Sequence, residues 1–208
     1  MIIIKCEQQS ELWHESRCGR VTGTRFSALC AGESTKEYKN LLTNIVCEII
    51  TGKQEETYSN AIMEKGIETE PVARACYESL FDIEVKTVGF IVPDQESKYH
   101  EWIGISPDGL LPDNGILVIK CPLMRTHFEY IEAGRLPAEY RHQVQGQLFV
   151  TDLSYCHFMS FVEGMKPFII PVYPDLELFK EFERRLDALI IAVQNKLDLY
   201  HKYDYLNE

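Results

Sequence analysis

The chain has 208 residues, 45% of them hydrophobic and 25% charged, values that suit one well-buried globular domain and set aside disordered and fibrous classes. Its formal net charge of −11 argues against a broad basic surface for nucleic acid, yet a local cationic lining can coexist with an acidic exterior. Seven scattered cysteines without a CxxC pair, no cleavable signal and no apolar run of membrane length exclude zinc ribbons, iron–sulfur clusters and membrane spans, and predict a reduced intracellular protein.

In chain order, SELWHES at 10–16 reads as a short helix behind an N-cap serine, and TGTRFSALCAG at 22–32 as a second helix stopped by glycine. Apolar residues recur at helical spacing over 38–50, closed by Thr51–Gly52. The pattern over 59–81 predicts a long helix, with Pro71 in its interior implying a kink or a break. Then the period changes to two: IEVKTVGFIV (83–92), YHEWIGIS (99–106) and GILVIK (115–120) read as strands separated by Pro-Asp-Gly and Pro-Asp-Asn-Gly turns. Helices are expected over 125–133 and 137–150, strands over 154–162 and 167–173, and a long amphipathic helix over 175–200. The order predicts a single α/β domain with a mixed central sheet.

Asp108, in a Pro-Asp-Gly segment, and Lys120, a single charge ending an apolar strand, sit where two hairpin strands bring their ends together. An aspartate in such a tripeptide often does no more than shape a turn. An aspartate, a second carboxylate and a lysine at one sheet edge also make a recurring arrangement for phosphodiester hydrolysis. The carboxylates hold a divalent ion and the lysine steadies water or developing charge. Mg²⁺ suits oxygen ligands with retained waters. Glu70 lies one helical turn before Arg74 and reads either as half of a surface ion pair or as such a carboxylate. Arg17 and Arg20 flank a glycine ahead of Thr22 and Thr24, which fits an anion cradle at a helix start as well as ordinary capping.

Taken together and in order, SRCGRVTGTRFS, GIETEPVAR, SPDGLL, a strand ending IKCP, and YRHQVQGQLFV resemble the YqaJ-type viral recombinases, the phage lambda exonuclease family of alkaline exonucleases. The resemblance covers about 13–151, with 152–208 consistent in element order, inside one exonuclease domain spanning 1–208. It implies a restriction-endonuclease-like core in which a mixed central β-sheet is flanked by helices. It also implies a nuclease of the PD-(D/E)XK superfamily that uses Mg²⁺, or Mn²⁺ in its place, to degrade one strand of double-stranded DNA from 5′ to 3′. The 3′ single strand left behind would serve recombination by strand annealing. The implied assembly is a homotrimeric ring, the implied partner a single-strand annealing protein of the phage or prophage, and the implied location the cytoplasm of a bacterial host.

By position, the resemblance makes Asp108 the central metal ligand, Lys120 the catalytic lysine, Glu70 the helix carboxylate near a second metal and Gln143 a supporting polar residue. The backbone oxygen of Ile119 is a further ligand. Arg17 and Thr24 match a pocket for the 5′-phosphate, Ser106 neighbours the scissile phosphate, and Met63 falls where an apolar side chain separates the strands. The departure is Val118, which stands where the family carries a metal-binding glutamate and which implies an impaired catalyst. Three accounts of it follow, in order of preference: a substitution that silences an otherwise intact enzyme, a natural inactive DNA-end-binding protein, or another carboxylate, Asp113 or Glu129, moving in. A small-phosphoester hydrolase on an unrelated α/β fold is a further alternative.

Overall fold

The computed structural model describes residues 1–54 and 61–204, without the side chains at 61–65, 67 and 204. Helix α1 (Glu11–Arg17) starts where the Ser10 side chain accepts from the Trp13 N–H at 3.3 Å. The expected second helix is interrupted: a 3₁₀ turn, Gly23–Arg25, precedes the five-residue α2, Phe26–Cys30. Thr22 makes no side-chain capping bond there. Helix α3 (Lys36–Thr51) is capped by Thr35 and closed by Gly52 at φ +68°. Helix α4 (Ala61–Phe81) runs as one piece through Pro71, so of the expected kink or break the break does not occur.

Among the described residues the strands are six rather than five, and except for 115–120 the expected ones are shorter than the alternation suggests or absent. β1 (Ile2–Ile4), missed in the sequence pattern, pairs antiparallel with β2 (Phe90–Val92). The 99–106 segment forms no strand: Ile103 and Ile105 make isolated bridges to Val21 and Ile91, and both are buried. Its alternation reflects side chains inserted into a core from an irregular path. The main sheet has the order β3 (Gly109–Leu111), β4 (Gly115–Lys120), β5 (Tyr155–Ser160), β6 (Phe168–Val172), with β4 and β5 parallel and the outer pairs antiparallel. Parallel pairing needs a crossover, and α5 (Met124–Ala133), a 3₁₀ turn at Ala138–Tyr140 and α6 (Arg141–Thr151) supply it.

β4 is apolar along its length because both its faces are covered. Ile116 and Val118 pack with Phe158 against Val144 and Leu148 of α6, while Leu117 and Ile119 pack with Met159 against Ala73 and Tyr77 of α4. A third cluster joins Phe26, Leu29 and Ile45 to Phe182, Leu186 and Val193 of α7 (Leu176–Asp204). Gly146 lets the start of α2 approach α6 closely, since a Cβ there would sit 2.4 Å from the ring of the fully buried Phe26. Gly146→Ala gains helix propensity of about 1 kcal/mol, but displacing a confined ring costs more. A net loss of about 1–2 kcal/mol is expected from urea denaturation.

Candidate nuclease site

Asp108 is not in a tight turn. Its N–H already donates to the Leu117 carbonyl at 3.1 Å, which makes it the lead-in to β3. Gly109 is required by packing, because a Cβ there would meet Val85 at 2.0 Å. The turn of the hairpin lies further on, where Asn114 takes φ +70°. The half-buried Asp108 carboxylate accepts from the Ile119 N–H at 2.6 Å. N–H and C=O of one strand residue point the same way, so the Ile119 carbonyl also faces the side of β4 on which Asp108 lies, just past the end of β3.

Glu70 reaches this edge from α4. Arg74 holds it there, pairing with the Glu70 carboxylate while its Nε donates to the Asp108 carbonyl at 3.1 Å. The i,i+4 pair foreseen in the sequence is therefore a bracket between α4 and the Asp108 segment. Burial and then the charge of Asp108 push the Glu70 carboxyl up to about 7, against the opposing pull of Arg74 and Lys120. Burial likewise holds Asp108 above the usual carboxylate range, opposed by Lys120, the Ile119 N–H and Arg74. Two carboxylates and a lysine thus feel one another at the C-terminal end of β4.

Lys120 projects to the α6 side of the sheet, two residues after Val118, and its Nζ lies 5.2 Å from the Tyr140 ring centroid. Val118 is fully buried. It occupies an apolar cluster rather than lining open space. The two other carboxylates considered as substitutes do not come in. Asp113 accepts from the Tyr155 hydroxyl near the Gly115 end of β4, the far end from Lys120. Glu129 is an exposed member of an ion pair with Arg125 on α5. Among the described residues no cluster of three or more His, Cys, Asp or Glu side chains gathers.

A second polar region adjoins the first. Arg17 ends α1 with its guanidinium 4.0 Å from the Trp13 ring centroid, and the same indole donates through Nε1 to Ser106 Oγ at 2.7 Å. Burial, and then Arg25, lower the Arg17 pKa to about 10, with Glu48 opposing. Thr24 is exposed on the 3₁₀ turn. Gln143 lies against that turn, its Cγ 3.6 Å from where a Cβ on Gly23 would stand, so α6 brings it beside Thr24's segment. Met63 falls in α4, but its side chain lies outside the described residues. Arg20 pairs with Glu101, so its charge is spent within the fold. Trp13, Glu48, Arg74 and Tyr140, which hold the predicted residues, make contacts distant in sequence or across elements and carry no local motif.

The charge logic is shared by both regions. Arg25 and Arg74 are neutralised by carboxylates, whereas Arg17 and Lys120 rest on aromatic faces. A ring face holds a cation without cancelling its charge.

The model of the YqaJ-like viral recombinase domain matches residues 12–154. The chain is similar to LHK-Exo, an alkaline exonuclease from Laribacter hongkongensis, at 30% identity over 96% of this chain and 100% of that one, with a TM-score of 0.84. The structure of LHK-Exo in complex with dAMP matches at the same identity and coverage, with a TM-score of 0.85. A phage-related exonuclease from Haemophilus somnus 129PT shares the fold at 16% identity, over 87% of this chain and 96% of that one, with a TM-score of 0.65. No curated protein sequence matches the chain.

Proposed function

The chain belongs to the YqaJ-like viral recombinase domain family, and from that premise we propose a Mg²⁺-dependent exonuclease that shortens one strand of duplex DNA from a 5′-phosphorylated end. The family and the exonuclease-like fold, a restriction-endonuclease-like α/β core, support a nuclease acting on DNA. The observation that carries the finer reading is the convergence of Asp108, Glu70 and Lys120 at the end of β4. The product, a 3′ single strand, would pass to a single-strand annealing protein in the host cytoplasm, and a homotrimeric ring would keep the DNA threaded. No helix of the described residues is long and apolar enough to cross a membrane.

The remaining donors fit one divalent ion. Burial raises both carboxyls, and Asp108 raises Glu70 further, so a cation would restore their ionised forms, and Mg²⁺ is commonly held by one or two carboxylates with substrate phosphate completing its shell. Asp108, Glu70 and the Ile119 carbonyl would hold it. Such an ion supplies polarisation of the scissile phosphate and a lowered pKa for the attacking water. Lys120 would steady the charge that develops on the phosphate oxygens. Arg17, Thr24 and Gln143 would seat the terminal phosphate, and Ser106, fixed by Trp13, would border the bond to be cut. With Val118 in place of a third carboxylate, metal retention and rate are both reduced.

Slow shortening of a linear 5′-phosphorylated duplex in Mg²⁺ or Mn²⁺ is expected, abolished by EDTA and lowered at least about a hundredfold by Asp108→Asn. Shortening from the 3′ end, or digestion indifferent to EDTA and to Asp108→Asn, would refute the proposal. A second reading, a DNA-end-binding protein without nuclease activity, is favoured by the complete burial of Val118 in an apolar cluster. End binding with no digestion in either metal would select it.

A further inference from the structure

We propose that Glu48 is a positioning residue for the end-phosphate cradle, fixing the Arg17 loop and the Thr24 turn in one geometry. The inference rests on the reading of Arg17 and Thr24 as a terminal-phosphate pocket, and it adds a residue to which neither the family resemblance nor any local motif points.

Glu48 is a carboxylate on α3, only 4% exposed, a position where an ionised group persists only if fully paired. Its partners are the two flanks of the cradle. On one side Oε2 accepts from the Gly19 N–H at 2.9 Å, in the loop that directly follows Arg17. On the other side Arg25, the residue after Thr24, grips both carboxylate oxygens, with Nη1 at 2.9 Å from Oε2 and Nη2 on Oε1. Arg25 then returns to the first flank, donating from Nη1 to the Arg20 carbonyl at 2.9 Å. A fork-to-fork pair fixes direction as well as distance.

The backbone agrees. Gly19 adopts φ +69°, and a Cβ there would lie 2.8 Å from Ile49, the neighbour of Glu48 on α3. The loop is therefore pressed onto α3 at the point where the carboxylate holds it. No helix end can do this work in its place, since the segment after Thr22 is a 3₁₀ turn followed by a five-residue helix.

Around this pin the polar interior is incomplete. The buried side-chain atoms without a hydrogen-bond partner among the described residues are Arg17 Nε, Thr22 Oγ1 and Gln147 Oε1. Two of them adjoin the 3₁₀ turn, Thr22 preceding it and the Gln147 side chain lying 3.6 Å from the Cβ position of Gly23, while Arg17 rests on the Trp13 ring at the end of α1. Thr22 and Gln147 are 1% and 2% exposed. Buried polar groups without partners are rare, so Thr22 and Gln147 mark the side of the turn facing α6 as the less completely satisfied part of this region. Glu48 hydrogen-bonds to none of the three; it holds Gly19 and Arg25, the residues to either side of Thr22 in the chain.

The test compares the affinity of the full chain for a fluorescent duplex with a 5′-phosphate and for the same duplex with a 5′-hydroxyl, by anisotropy in EDTA so that no cutting intervenes. Positioning and simple charge make opposite predictions. Glu48→Gln leaves Arg25 uncompensated, so if only charge mattered the preference for the phosphorylated end would rise. If Glu48 positions the cradle, the preference falls about tenfold while affinity for the hydroxyl end stays constant. The double substitution Glu48→Leu, Arg25→Met replaces the buried carboxylate and its half-buried partner by apolar groups of similar size, which leaves no unpaired buried charge, and it should lose the same preference. A preference unchanged or increased in Glu48→Gln, or retained in the double variant, overturns the proposal, as does an equal loss of affinity for both ends, which marks general loosening. If the unsubstituted protein shows no preference and Arg17→Ala changes nothing, the pocket reading itself fails.

Discussion

Val118→Glu is expected to raise the rate of 5′-to-3′ digestion in Mg²⁺ by at least about a hundredfold, and in the same protein to lower stability when metal is absent. The gain follows from adding a third carboxylate two residues before Lys120 on the same face of β4, on the strand whose Ile119 N–H already donates to the Asp108 carboxylate. A direct ligand that secures the ion through the transition state is worth several kcal/mol, and each 1.4 kcal/mol is tenfold in rate. The loss follows from the setting. Val118 is fully buried between Val144, Leu148 and Phe158, and a carboxylate there without a cation is a buried, uncompensated charge. Digestion assays with and without the substitution, and melting with EDTA or with Mn²⁺, check both halves. A Val118→Glu protein that binds duplex ends but stays inert would show that Val118 is not what limits this site. One that melts unchanged in EDTA would show that the apolar cluster yields more easily than its packing suggests.

His127→Ala should destabilise the fold by about 2–4 kcal/mol. His127 is fully buried on α5 and uses both ring nitrogens: Nε2 donates to the Lys166 carbonyl at 3.0 Å, and Nδ1 meets the Ser160 hydroxyl at 2.7 Å. Ser160 is itself fully buried and is the register partner of Lys120 across β4 and β5. Alanine leaves a cavity, an orphaned hydroxyl and an orphaned carbonyl. Phenylalanine fills the space but restores neither bond, so His127→Phe should recover only part of the loss. Urea denaturation of both variants separates the packing contribution from the hydrogen-bonding one, and equal losses would mean that volume counts for little here. Because α5 begins four residues after Lys120, a loosened α5 should also slow any digestion.

The parts legible in the sequence are those set by local pattern. GILVIK is recognisable as a central strand because both its faces are covered, and α3 and α7 because each buries one stripe. The 99–106 segment deceives because inward-facing Tyr99, Ile103 and Ile105 mimic alternation while the backbone makes only single bridges. Helix 22–32 fails at its start: Gly23 lies against Gln143 and Gln147 of α6, and the chain tightens into a 3₁₀ turn before Phe26 enters the core. At the site, Asp108, Glu70, Lys120, Arg17 and Thr24 follow in an order that the resemblance supplies. Arg74's bond to the Asp108 carbonyl spans 34 residues, Trp13's to Ser106 spans 93, and neither has a signature that spacing could reveal. Nor does Glu48 differ in sequence from any solvated glutamate, although α3 buries it.

The Trp13 indole bears on how far the DNA could advance between cuts. One face of the ring carries Arg17, its N–H holds Ser106, and Ser106 stands two residues before Asp108. If Arg17 grips the end of the strand and Asp108 marks the bond to be broken, a single rigid ring sets the gap between them. The protein would then carry its own ruler, and the length of each fragment released would be a property of one tryptophan rather than of the DNA it travels along.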